Sequence, residues 1–258
     1  MALLSHRTAP FRRSAVFYFN AAGQLTESYE HDSTWATRTL PGPPATDPRS
    51  LALTDVTAGG QAGERPFYLA SHDTLMVTSS AGRGWRSTRI RSGFGVAAGS
   101  PLSAVTTGPD GDEQRVFFID GRGRLAEAVS GQPAGRWAVR ELPGTPAPVT
   151  SPAPAISLAA TNHLLPSGVL GGEVFYLTAS GQPAVTSWNG REWQAASLPG
   201  IATAILDADG YPAAGQPEQL FLADGPALRL DASDTAGRAW TATVLPDTAG
   251  AGASAHRA

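Results

Sequence analysis

Cysteine is missing from this 258-residue chain, and so is lysine. The first absence removes disulfides, a thiolate nucleophile and any cysteine-based zinc site. The second makes all 19 basic residues arginines, set against 22 acidic residues for a net charge of −3. No basic block stands out, and phosphate-backbone binding depends on clustered positive charge, so nucleic acid is not an expected partner. Apolar runs are short. None approaches the ~18 residues of a membrane span. The opening residues Met1 to Arg7 lack the apolar core of a signal peptide. The expectation is a chain that stays in the cytoplasm or is released by a non-classical route. Long stretches of 3.6-residue period with caps are absent too, which leaves little room for helix.

What the chain does contain is a 41% hydrophobic fraction together with 29 glycines and 21 prolines. Mixed with many Val, Phe, Leu and Thr, that composition reads as short strands joined by tight turns around a real core.

Those strands repeat. An apolar-aromatic cluster recurs around Phe17, Phe67, Phe117, Phe175 and Phe221, at steps of 50, 50, 58 and 46 residues. A tryptophan follows each cluster, at Trp35, Trp85, Trp137, Trp193 and Trp240. Five residues after each Trp comes Leu40, Ile90, Leu142, Leu198 or Leu245, and four of these precede a proline. A period near 50 residues with one register of aromatic, turn, Trp and Leu-Pro marks a β-propeller. The expectation is an all-β, five-bladed propeller of four-stranded antiparallel blades, a single domain over 1–258. The blades fall near 1–42, 50–92, 101–144, 155–200 and 202–247, with 248–258 a flexible tail.

In the third unit the strands read Leu102–Thr106, Arg115–Ile119, Arg124–Val129 and Trp137–Leu142. Innermost strands elsewhere are expected at Leu51–Val56, Ile156–Thr161 and Thr203–Asp207. The first blade takes its own from Ala2–His6 or borrows one from the tail, the N-terminus being the better strand material. Glycines at Gly23, Gly121, Gly181 and Gly225 supply the positive φ of the second hairpin. The proline after the fourth strand stops further pairing.

The unit of paired aromatics, Gly turn, Leu-x-Glu, Trp and Leu-Pro-Gly resembles the fucose-binding propeller lectins, and more loosely the tectonin-like and insect-pathogen propeller lectins. The resemblance covers most of the chain at the level of pattern. It implies a carbohydrate-binding protein with pockets between blades and a glycan or other small polar ligand as partner. In that family an arginine opening the second strand and a glutamate on the third hold sugar hydroxyls, and an aromatic covers the apolar sugar face. Only the third unit keeps both, as Arg115 and Glu127. The first has Ala15 with Glu27, the second Arg65 with Val77, the fourth Glu173 with Val185, and the fifth Gln219 with Asp231. Trp137 of the same unit or Trp188 of the next would supply the aromatic. Trp188 is the one Trp outside the register, in a Ser-Trp-Asn-Gly turn that would leave it exposed. The plainer reading of Arg115 and Glu127 is a cross-strand ion pair on a solvated face. That of the five in-register tryptophans is packing between blades.

A second site is conceivable where the innermost strands end. His6, Asp55, Asn162, His163 and Asp207 would converge at the mouth of a central tunnel, where carboxylates and imidazoles serve acid–base chemistry. Strand ends also favour Asp, Asn and Thr for backbone hydrogen bonding alone. No metal is expected from these residues, because no short ligand spacing is present. No cofactor motif is found: Gly121-Arg122-Gly123 is a hairpin turn with no helix after it. A third reading is a scaffold that shows its blade loops to a protein partner, which would require a contiguous apolar patch.

Overall fold

The computed structural model describes the backbone of residues 4–8, 13–32, 34–47, 50–58, 61–80, 84–91, 93, 95–107, 113–131, 136–149, 158–165, 167–202, 204–209, 219–224, 227–233 and 240–244. Side chains are described from residue 15 onward within these stretches. They exclude 55–58, 61–63, 131, 164, 206–209 and most of 219–244.

Among the described residues twenty strands form five four-stranded antiparallel sheets. The first sheet is β1 (Leu4–Thr8), β2 (Arg13–Phe19), β3 (Leu25–His31) and β4 (Thr34–Thr39). The second is β5 (Leu51–Ala58), β6 (Gln61–Ala70), β7 (Thr74–Ser80) and β8 (Trp85–Arg89). The third is β9 (Ser103–Thr107), β10 (Glu113–Ile119), β11 (Leu125–Gly131) and β12 (Arg136–Glu141). The fourth is β13 (Leu158–Leu164), β14 (Leu170–Leu177), β15 (Pro183–Trp188) and β16 (Trp193–Ser197). The fifth is β17 (Ala204–Asp209), β18 (Gln219–Asp224), β19 (Ala227–Ser233) and β20 (Trp240–Val244). Each is a plain meander, and each expected strand is present within two or three residues of its expected ends. Leu4–Thr8 pairs with Arg13–Phe17, so the N-terminal segment supplies the first sheet's own innermost strand. The tail at 248–258 lies outside the described residues.

The chain divides into two compact units. One holds the first three sheets and the other the last two, with Gly123–Leu125 assigned to the second. Within each unit the core is layered between successive sheets. Phe17, Leu25, Leu40, Leu51, Tyr68 and Met76 fill the space between the first and second sheets. Phe67, Leu69, Val77, Val116, Phe118 and Ala128 fill that between the second and third. In the other unit Phe175, Val185, Leu198, Ile205 and Leu222 do the same between the fourth and fifth. The registered tryptophans explain their spacing here. Trp85 meets Phe17, Trp137 meets Phe67 and Trp240 meets Phe175, edge to face, with centroids 5.9, 5.6 and 5.6 Å apart. Each of these three packs on the preceding sheet's aromatic, whereas Trp193 meets Trp188 of its own sheet. Trp35, by contrast, is 57% exposed.

The Leu-Pro-Gly that closes a unit is a clasp. The N–H of Leu40, Ile90, Leu142 and Leu198 each donates back to the start of the third strand, at 2.8–2.9 Å. The chain then crosses to the next sheet, where the N–H of Thr46, Ala97 and Ala147 donates to the carbonyl of Leu69, Ile119 and Leu177. Between these points the Pro41 carbonyl accepts from Ser87 Oγ, and that of Pro143 accepts from Thr186 Oγ1 at 2.8 Å. Gly42 and Gly144 have φ of +132° and +128°, and a Cβ on either would collide with the hydroxyl of Tyr68 or Tyr176. Glycine is needed there for both conformation and space.

The hairpin glycines are borne out at Gly23 (φ +74°) and Gly181 (φ +79°). In the third sheet the positive φ falls on Gly123 rather than Gly121. Asp120 Oδ1 accepts from the Arg122 N–H as Asn20 Oδ1 accepts from the Ala22 N–H in the first sheet, so Gly123, three residues after the capping side chain, is the counterpart of Gly23. Gly225 lies outside the described residues. The second sheet has no glycine at this turn and bends through Ser71–Asp73, with His72 and Asp73 at positive φ.

Candidate functional site

Successive residues of a strand face opposite ways, which decides what each candidate can reach. On β10, Arg115 and Phe117 face one side of the third sheet, while Gln114, Val116 and Phe118 face the other. Glu127 is on the Arg115 side, opposite Arg140 in register.

Arg115 is 8% exposed and Glu127 is completely buried. Arg115 Nη1–H donates to Glu127 Oε2 at 2.8 Å, its Nε–H to Thr107 Oγ1 at 3.0 Å, and Nη2–H to Glu113 Oε1. Thr107 Oγ1–H in turn donates to Glu113 Oε1 at 2.8 Å. The second oxygen of Glu127 accepts from Arg140 Nε–H. Two guanidiniums and two carboxylates therefore form one network with balanced charge. It is an ion pair, as the plain reading had it, but a buried one in place of a pair on a solvated face.

The other sheets carry altered versions. In the first, buried Glu27 accepts from Arg38 at 2.5 Å, and the Arg38 guanidinium lies over Tyr29 and Trp85, 4.8 and 5.5 Å from the ring centroids. In the second, Arg65 donates to the side-chain Oε1 of Gln114 on the third sheet. In the fourth, Glu173 is 3.5 Å from His163 Nδ1, with Gly171 opposite the imidazole in register. Burial pushes the His163 pKa below its ordinary 6.5, against a hydrogen bond to the Trp188 carbonyl that raises it. The imidazole is neutral near pH 7, and the contact with Glu173 is not a salt bridge there. The side chains of Gln219 and Asp231 lie outside the described residues.

Trp137 does not share a pocket with Arg115. It stands opposite Ser130 in register, on the face of Ala128 and away from Glu127, and it packs on Phe67. Trp188 is the last residue of β15, not a turn residue. It is half-buried beside Trp193, ring centroids 5.9 Å apart.

The expected tunnel-mouth set is only partly described. His6, Asp55 and Asp207 lie on β1, β5 and β17, and their side chains fall outside the described residues. Asn162 and His163 are consecutive on β13 and so face opposite sides of the sheet. Among the described residues no three His, Cys, Asp or Glu side chains are grouped to hold a metal ion. Among the described residues no helix is long and apolar enough to cross a membrane.

Reasoning on the sequence missed Thr107, Glu113, Arg140 and Gln114. A signal for Arg140 was available. The residue three after the tryptophan is Arg38 or Arg140 where the third strand has Glu27 or Glu127, and Thr88 or Ala196 where it has Val77 or Val185. The glutamate and the cross-strand arginine come and go together, as partners do.

No protein-family profile matches the chain, and no curated protein matches it in sequence. Solved structures match it in fold. The SapL1 lectin, solved with α-methyl fucoside, is 17% identical over 94% of this chain and 79% of its own, with a TM-score of 0.71. The lectin of the fungus Aleuria aurantia, a six-bladed β-propeller described with a fucose recognition mode, is 17% identical over 95% and 78%, at 0.67. BP39L lectin from Burkholderia pseudomallei is 18% identical over 95% and 69%, at 0.70. The fold of this chain is that of the β-propeller lectins.

Proposed function

We propose that the chain closes into a five-bladed propeller that binds glycans, with a site for a neutral sugar at Arg115 and Glu127. The observation that carries this reading is the buried Arg115–Glu127 pair, held from three sides by Glu113, Thr107 and Arg140. A sugar presents hydroxyls that donate and accept at once. A rigid network of donors and acceptors with no net charge matches it and costs little reorganisation on binding. The similar structures support the class of ligand, since SapL1 holds α-methyl fucoside. Five sheets against the six blades of the Aleuria aurantia lectin also accord with the 78% of that chain that is covered.

The test is a broad glycan array probed with the full chain, with methyl α-fucoside as first soluble competitor. Binding to neutral glycans is expected. A silent array would count against the reading and leave the scaffold or the enzyme. The described tunnel-mouth residues do not favour the enzyme, since Asn162 and His163 diverge.

A further inference from the structure

We infer that the facing walls of the second and third sheets around Arg65 form a second binding site, which takes an anionic saccharide, one bearing a carboxylate or a sulfate. This site goes beyond the one at Arg115. Gln114 and Arg115 are consecutive on β10, so the two sites lie on opposite faces of the third sheet.

The second sheet contributes Arg65 and Thr54, which are direct partners in register and share a face with Phe67 and Val77. The third sheet contributes Gln114, Ser130 and Trp137 in a single cross-strand row. The Gln114 backbone N–H donates to Ser130 Oγ at 2.8 Å, and Ser130 stands opposite Trp137. Arg65 bridges the walls by donating to Gln114 Oε1.

What distinguishes this arrangement is a surplus of donors. Gln114 is completely buried, yet its Nε2 has no partner among the described residues; Thr54 is 4% exposed, and its Oγ1 has none among them either. Buried polar groups without partners are uncommon in a folded protein and call for an explanation. One of them is part of the same amide that meets Arg65, and the other stands opposite Arg65 in register. A guanidinium carries five N–H donors, and Arg65 donates one of them to a neutral amide.

The acceptor that completes the third sheet's network is missing here. Val77 stands where Glu127 stands in the third sheet, and Thr88 where Arg140 stands. Glu113 and Glu127 belong to the other face of the third sheet. Burial also pushes the Arg65 pKa below the ordinary arginine value, since desolvation disfavours the charged form.

An oxyanion meets all of these conditions. Two oxygens pair with the guanidinium edge, and the Gln114 amide and Thr54 hydroxyl donate to the oxygens that remain. Trp137 is half-buried in the same row and offers apolar surface to a sugar ring attached to that group.

The experiment is calorimetric titration of the full chain with methyl β-glucuronide, glucose 6-sulfate and, as the neutral counterpart, methyl β-glucoside. At least one anionic probe is expected to bind about tenfold or more tightly than the glucoside, as charge-assisted pairing requires. The two arms identify carboxylate or sulfate. Arg65→Gln and, independently, Gln114→Glu are expected to abolish that preference, the second by placing a carboxylate beside the guanidinium. Arg115→Lys is expected to weaken only the neutral site and to leave the anionic probe's own dissociation constant unchanged, which separates the two sites. Equal affinity for all three probes, no binding of either anion, or a loss that follows Arg115→Lys and not Arg65→Gln would overturn the inference.

Discussion

Glu127 divides its buried carboxylate between two arginines: Arg115 holds Oε2 at 2.8 Å and Arg140 holds Oε1 from the neighbouring strand. The two arginines are not equivalent. The Arg115 side chain is 9% exposed and that of Arg140 is 47%. Glu127→Ala would leave the buried Arg115 guanidinium with the Glu113 carboxylate alone, and loss of one partner of a buried pair costs up to about 3–5 kcal/mol. Arg140→Ala removes a half-exposed partner and is expected to cost about 1 kcal/mol or less. Urea unfolding of the two variants checks the contrast; equal costs would mean that the network is not anchored through Arg115.

Gly42→Ala is expected to destabilise the fold by about 2–4 kcal/mol, combining unfavourable φ with contact against the Tyr68 hydroxyl. Adding Tyr68→Phe removes the atom in the way and should recover part of that cost, while the φ penalty stays. A double-mutant cycle measures the coupling. Strict additivity would show that Tyr68 does not press on the clasp.

The registered tryptophans differ in what they hold. Trp137→Ala opens space against Phe67 and is expected to cost about 3–5 kcal/mol. Trp35→Ala removes a side chain that is 57% exposed and is expected to stay within about 0.5 kcal/mol of the parent. Thermal or urea melts of both decide it.

His163 links stability to pH. Its folded pKa is pushed down by burial, so below the unfolded value of 6.5 the unfolded chain binds the extra proton first. The contribution of the neutral imidazole is fully present above pH 6.5 and is lost as pH falls from there through the folded pKa. His163→Asn is expected to flatten the slope of unfolding free energy in that window. An unchanged slope would place the pH response elsewhere.

The repeat made most of the fold legible before any coordinates. Aromatic cluster, tryptophan and Leu-Pro recur because each unit must fill the same layer between sheets. The Arg115–Glu127 contact was legible for a related reason, since both occupy set positions in the unit. Faces across a hairpin were not. Trp137 belongs to the same unit as Arg115, but only the register of Ser130 with Trp137 shows that it faces the other way. Gln114 was overlooked because the residue next to a marked position is, in a strand, always on the opposite side. The turn at Ser71–Asp73 hid itself by using His72 and Asp73 where the other units use glycine.

The most direct measurement is titration of the best neutral glycan from the array against the parent chain and Arg115→Lys, with circular dichroism confirming that both are folded. Lysine keeps a positive charge beside Glu127 but lacks the forked donor set of arginine. The account predicts saturable binding by the parent and a loss of about tenfold or more in the variant. Binding untouched by Arg115→Lys would contradict it.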